Sequence, residues 1–265
     1  MSFFTKRQSP DALTFWEHLE VLRWSILRIL LVLLVFLIVI FSNKEFVFDQ
    51  IIFPPLNSDF LTYRLMCKLA TLLNFPALCP GDFELKLMNF EMSGQFFAHI
   101  SSSFTLALVL SVPYILFEIW KFVAPALYNN ERRNTGIVFF SSSLLFYLGA
   151  LTSYYIIFPL SIRFLGTYEV SALVPNTISL QSYMGTLYIL VFSLGIMFEL
   201  PILAFLLSRM GLITREFLQK GRSFAVVIIL ILAAVITPTT DPFTMLVVAA
   251  PVYVLFEISI LVCKK

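Results

Sequence analysis

Glutamates set inside long apolar stretches are the residues of this chain most able to do chemistry, because a carboxylate there must find a partner or take up a proton. Glu199 is the plainest case. It stands in Leu194-Gly-Ile-Met-Phe-Glu-Leu-Pro201 with no Lys or Arg within eight positions on either side. A charge at the centre of a membrane helix costs roughly 2.5–3.5 kcal/mol even on the mildest scale. The side chain is therefore either protonated and hydrogen-bonded to another helix, or a polar contact for a substrate or partner helix. Pro201 leaves backbone carbonyls one turn earlier without their usual donor, at the same place. Glu118 and Glu257 recur in similar Leu-Phe-Glu-Ile settings near the ends of apolar runs and are expected at the membrane interface. The stretches Pro113-Tyr-Ile-Leu-Phe-Glu118 and Pro251-Val-Tyr-Val-Leu-Phe-Glu257 echo one another, but are too short to establish an internal repeat.

The rest of the catalytic inventory is thin. His18 and His99 are the only histidines, and neither has a carboxylate or cysteine cluster at ligand spacing, so no metal site is expected. Ser101 to Ser103 and Ser141 to Ser143 suggest an intramembrane hydrolase only superficially. No Gly-x-Ser-x-Gly and no base at membrane depth accompany them, and small serines let helices pack closely. There is no Gly-x-x-x-x-Gly-Lys nucleotide loop either. The chain is read as not an enzyme, without cofactor, taking its energy from elsewhere.

The elements that position these residues are membrane helices. Apolar residues make up 59% of the chain and charged ones only 13%, with a mean hydropathy of +0.91, which a soluble domain does not show. Runs long enough for a hydrocarbon core begin near Trp24, Phe96, Gly136, Gly185, Ser223 and Thr244, which predicts six helices. A β-barrel is excluded, since Ile26 to Phe41 holds one charge, Arg28, in an almost unbroken aliphatic and aromatic run. That run is too long for a signal-peptide core and Phe41-Ser-Asn-Lys-Glu45 offers no cleavage site, so it reads as a retained anchor.

Six spans put both termini on one side. Lys6, Arg7, Arg23, Arg28, Lys121, Arg132, Arg133, Arg209, Arg215, Lys220, Arg222, Lys264 and Lys265 fall on that side, thirteen of the eighteen basic residues. The excess marks it as cytoplasmic. The net charge of +2 is a topological asymmetry, and no basic stripe remains for nucleic acid. The whole chain, 1–265, reads as one membrane domain. It comprises a cytoplasmic amphipathic segment (1–23), an extracytoplasmic cap loop (42–95) and cytoplasmic loops at 119–135 and 209–222.

Cys67 and Cys79 lie in the cap, in an oxidising compartment on this topology, and are expected to form a disulfide; the alternative is two unpaired thiols in apolar packing. Cys263, at the cytoplasmic end, is expected to stay reduced. The last two helices look short, because Ser223 to Ile236 spans only about 21 Å if helical and the closing run is interrupted by Pro251 and Glu257. Such segments either thin the bilayer or lie at a tilted bundle edge under neighbouring helices.

One polar island remains: Trp120-Lys-Phe-Val-Ala-Pro-Ala-Leu-Tyr-Asn-Asn-Glu-Arg-Arg133, with an Ala-Pro-Ala-Leu step ahead of a carboxylate and an arginine pair. It resembles the first cytoplasmic loop of the TatC family, receptor subunits of the twin-arginine protein translocase. Other stretches resemble the family in order: Phe15-Trp-Glu-His-Leu-Glu-Val-Leu-Arg23, Phe-Pro-Pro-Leu56, Ser141-Ser-Ser-Leu-Leu-Phe-Tyr-Leu-Gly149, Phe158-Pro159, Phe198-Glu-Leu-Pro201, Thr237-Pro238 with Asp241, and Leu255-Phe-Glu-Ile258. Two positions depart: Val21 stands where a second glutamate is usual, and Met245 where a glutamine is common.

The resemblance implies an all-α, concave, glove-like fold in a prokaryotic inner membrane. It implies binding of twin-arginine signal peptides, and export of folded proteins with TatA- and TatB-type single-span partners, driven by the proton-motive force within a multi-subunit complex. Discriminating Arg-Arg from Lys-Lys calls for carboxylates, since a guanidinium's planar fork fits them bidentately. Glu131 and Glu20 are the expected pair, with Glu17 one turn earlier as a substitute for the glutamate missing at Val21; Arg23, Phe122, Pro125 and Arg133 would shape the patch. The other reading of Glu131 is a surface pair with Arg132 or Arg133. Glu199 would line a concave membrane face, and Pro55 and Asp241 would serve on the extracytoplasmic side. The rival function is secondary transport of a small solute, which calls for repeats and discontinuous helices about a midplane site.

Overall fold

With no water to satisfy them, backbone amides in apolar runs must pair within their own segment, and the chain is accordingly built of helices. The structure, a computed structural model, describes residues 15–74, 79, 85–123, 135–168, 171, 176–237 and 241–263. In order these form α1 (Phe15–Ser42), α2 (Leu61–Leu72), α3 (Gly94–Val123), α4 (Thr135–Thr152), α5 (Phe158–Thr167), α6 (Leu180–Met197), α7 (Leu200–Arg209), α8 (Arg215–Lys220), α9 (Arg222–Ile236) and α10 (Pro242–Val262). Two-residue strands β1 (Leu87–Met88) and β2 (Ile178–Ser179) pair in parallel.

Among the described residues five stretches are long and apolar enough to cross a membrane: Leu19–Ser42, Gly94–Phe122, Val138–Thr167, Leu180–Arg209 and Pro242–Val262. α9, with 15 residues, is shorter. The expectation that the last helix is also short is corrected, because α10 runs 21 residues with Pro251 inside it. At about 1.5 Å per residue it matches a hydrocarbon core. A proline removes one hydrogen bond and kinks a helix, and neighbouring helices hold the continuation.

α6 lies at the centre, where Tyr183, Leu187, Leu190 and Leu194 recur along one face and are all buried. α4 approaches it through glycine. A Cβ on Gly195 would meet the Phe146 ring 2.6 Å away, and one on Gly149 would meet the Leu194 carbonyl at 2.7 Å. Only hydrogen at both positions allows this approach. α1 packs antiparallel to α3, with Phe41 stacked on His99 at one end, ring centroids 4.1 Å apart, and Arg28 against Glu118 towards the other.

A single proline shapes the third span. Pro159 has no N–H for the Tyr155 carbonyl, and the helix answers with a π turn over Ser153–Ile157. The Tyr155 carbonyl accepts instead from the Thr62 hydroxyl of the cap. Tyrosines fasten the rest of the cap: Tyr63 donates to Pro159 O at 2.9 Å, Tyr154 to Ile51 O at 2.6 Å and Tyr183 to Ile52 O at 2.6 Å. Burial pushes the Tyr63 phenol well up from its ordinary pKa, with Arg163 opposing weakly, so it stays a donor.

Candidate functional site

Near the end of α3, Glu118 is only 2% exposed. It stands in the last turns of its helix, as its sequence setting suggests, and is covered there by α1. Nη1 of Arg28 donates to both its oxygens, at 3.1 and 3.3 Å, Tyr114 donates to Oε1 at 3.1 Å, and Ser25 adds a further hydrogen bond. A buried charge needs this degree of satisfaction. Sequence reasoning counted Arg28 only towards topology. Its partner was findable from one signal, a carboxylate near the end of the next apolar run, which returns antiparallel to the first.

That pair fixes what lies beyond it. Because α1 and α3 are antiparallel, the first turns of α1 lie beside the last turns of α3. Glu20 and Arg23 are exposed on α1, and Phe122 is half-buried on α3 next to the buried Trp120. The backbone of Glu17 is in the first turn of α1. Pro125, Glu131 and Arg133, the other expected members of the patch, lie outside the described residues. The structure thus brings Glu20, Arg23 and Phe122 to one end of the molecule.

The echo of this arrangement is at the other edge of the fold. Tyr253 donates to Glu257 at 3.1 Å, and Arg222, the first residue of α9, donates to it at 2.8 Å. Here the carboxylate side chain is 33% and the guanidinium 50% exposed.

Glu199 sits where α6 stops and α7 begins. Pro201 has no N–H for the Met197 carbonyl, the ladder breaks at Phe198 and Glu199, and α7 restarts with Glu199 as its cap residue, its carbonyl accepting from Ile202 and Leu203. The hydroxyl of Ser142, on α4, donates to Oε2 at 2.5 Å. Oε1 is buried and has no hydrogen-bond partner among the described residues. The break therefore holds a half-satisfied carboxyl.

The remaining expected residues fall into structural settings. Pro55 is buried in a 3-10 turn (Pro54–Leu56), and its carbonyl lies 3.4 Å from the Tyr63 hydroxyl. Asp241 caps α10, its Oδ1 accepting from Thr244 N at 2.7 Å. Cys67 and Cys79 are joined in a disulfide with Cα atoms 4.2 Å apart, and Cys263 is free and buried. Among the described residues no group of three or more His, Cys, Asp or Glu is placed to hold a metal ion.

The profile of the family described as TatC, Sec-independent protein translocase protein, matches residues 17–251. A Sec-independent protein translocase protein TatC of Blattabacterium sp. subsp. Periplaneta americana is 34% identical over 256 residues, covering 96% of each chain. The TatC of Deinococcus radiodurans is 30% identical, covering 94% of this chain and 85% of its own. The crystal structure of a twin-arginine translocase receptor, TatC, in DDM superimposes with a TM-score of 0.75 at 29% identity, covering 94% of this chain and all of the other.

Proposed function

The chain belongs to the TatC family of Sec-independent protein translocase proteins, and from that premise we propose that it is the signal-peptide receptor of a twin-arginine translocase. It binds the Arg-Arg pair of a signal peptide at the cytoplasmic face of a prokaryotic inner membrane. With TatA- and TatB-type single-span partners, in a complex holding further copies of itself, it passes folded cargo across on the proton-motive force.

On this reading the chain crosses the membrane six times, the five long spans and the short α9, with both termini cytoplasmic and a concave, glove-like face. The loops at 119–135 and 209–222 are cytoplasmic, and 42–95 is the extracytoplasmic cap. α9 is about 22 Å long at ~1.5 Å per residue, so the bilayer thins beside it.

The observation that carries the proposal is the antiparallel contact of α1 with α3. It sets Glu20, Arg23 and Phe122 at one end, where the 119–135 loop with Pro125, Glu131 and Arg133 begins. Two guanidinium groups need two carboxylates. Glu131 takes one, and Glu20, with Glu17 a turn earlier, takes the other in place of the glutamate absent at Val21. Glu199, half-satisfied in the broken helix, is the polar contact for the signal peptide's apolar segment or a partner's helix. Pro55 and Asp241 hold the extracytoplasmic ends of the helices around it. Glu199→Ala then preserves folding and weakens crosslinking to the partner; unchanged crosslinking removes that role.

Binding of a fluorescent twin-arginine peptide to the protein in nanodiscs tests the proposal. Replacing Arg-Arg by Lys-Lys, or Glu20 by Ala, removes charge-assisted hydrogen bonds and weakens binding by about ten-fold or more. Equal affinity for the two peptides would overturn it.

A further inference from the structure

One helix of the cap is unlike the rest of the extracytoplasmic surface. α2 buries Thr62, Tyr63 and Ala70 against the protein, yet Leu61, Leu65, Leu69 and Leu72 are each half exposed or more. These leucines follow one another at helical spacing and form a continuous stripe. Arg64 and Lys68, both exposed, flank the stripe on one side at the same spacing. Among the described residues Arg64 has only Asp59 as an ion-pair partner, at 3.8 Å with both side chains mostly exposed, and Lys68 has none. An apolar stripe of this size facing water is costly, at about 25 cal/mol per Å².

The height of α2 is fixed by its bonds to the third span. Thr62 donates to the Tyr155 carbonyl and Tyr63 to that of Pro159. This span becomes apolar at Gly136, where Asn134-Thr135 gives way to Gly-Ile-Val-Phe-Phe140. Counting from there at ~1.5 Å per residue, Tyr155 and Pro159 lie about 29–35 Å along it. A hydrocarbon core is roughly 30 Å thick. The start of α2 is therefore level with the far edge of the core, where a leucine face meets acyl chains and basic side chains meet phosphates.

The geometry points to α2 as an in-plane membrane anchor: its leucine stripe enters the outer leaflet, and Arg64 and Lys68 bind the headgroups of anionic phospholipid. The occupant is lipid for two reasons. The stripe is continuous in height with the exposed flank of the spans, and the flanking charges are complementary to phosphate. The disulfide from Cys67 holds the middle of the helix to the chain that follows it, which favours a fixed surface over a swinging arm. The inference rests on the topology proposed above, both for the choice of leaflet and for the depth, which is counted along the third span to the bonds of Thr62 and Tyr63.

The full chain, reconstituted alone in vesicles of phosphatidylethanolamine and phosphatidylglycerol, tests this with a benzophenone amino acid placed at Leu65, Leu69 or, as a mid-span reference, Leu34. Mass spectrometry after illumination is expected to show phospholipid adducts at all three positions, enriched in phosphatidylglycerol at Leu65 and Leu69. The double variant Arg64→Glu, Lys68→Glu is expected to lose that enrichment while Leu34 adducts are unchanged. Lipid adducts at Leu34 with none at Leu65 and Leu69, or adducts there to a second copy of the chain, overturn the anchor and leave the receptor reading intact. Failure at Leu34 as well overturns the spanning topology and the anchor with it.

Discussion

The same cluster occurs twice in this molecule and carries different weight in each place. In α3, Tyr114 and Arg28 converge on Glu118; in α10, Tyr253 and Arg222 converge on Glu257, with a tyrosine one turn before the glutamate in both. Each glutamate stands in the last turns of its helix, which end at Val123 and Val262. What differs is the helix that supplies the arginine. α1 begins at Phe15 and runs on past Arg28 alongside α3, so it covers Glu118, whereas α9 begins at Arg222 itself and leaves Glu257 at the rim. Burial, and with it energy, is set by where the partner helix starts and not by the local motif.

The largest effect then belongs to Glu118→Ala. It leaves Arg28 without its partner and should cost about 2 kcal/mol, below the roughly 3–5 of a fully buried pair because Arg28 is half exposed. Unfolding in detergent measures it, and the exchange Arg28→Glu with Glu118→Arg should recover most of the loss. A full loss in the exchanged protein would mean that packing, not charge, ties α1 to α3. Tyr114→Phe, which removes one hydrogen bond to the buried Glu118 carboxylate, should cost clearly less than Glu118→Ala. At the exposed cluster Glu257→Ala should cost well under 1 kcal/mol and lose even that in high salt. Tyr253→Phe should fall within the scatter of the same experiment. Equal losses at Glu118 and Glu257 would abolish the distinction drawn between them.

Much of this was legible in the chain and some was not. Helix positions followed from apolar runs, and the unpaired carbonyls before Pro201 from the missing N–H, because both are local; that the helix stops and restarts there is shown by the structure. The length of α10 was misread, since a proline at Pro251 ends a helix only if nothing outside holds the next turn. The Arg28 to Glu118 pair joins residues 90 positions apart, and the bond from Thr62 to the Tyr155 carbonyl joins two segments whose meeting no periodicity encodes. Of the expected signal-peptide patch, Glu20, Arg23 and Phe122 come to one end, and Pro125, Glu131 and Arg133 belong to the loop outside the described residues. There the residue types, a carboxylate beside an arginine pair after an Ala-Pro-Ala-Leu step, remain the only guide.

The receptor claim is tested most directly by a photoreactive probe beside the Arg-Arg pair of a signal peptide, illuminated with the purified, folded protein. The account predicts a crosslink with wild type, lost when Arg-Arg becomes Lys-Lys and lost again with Glu131→Ala. A crosslink that persists through both changes, or none with folded wild type, would contradict it.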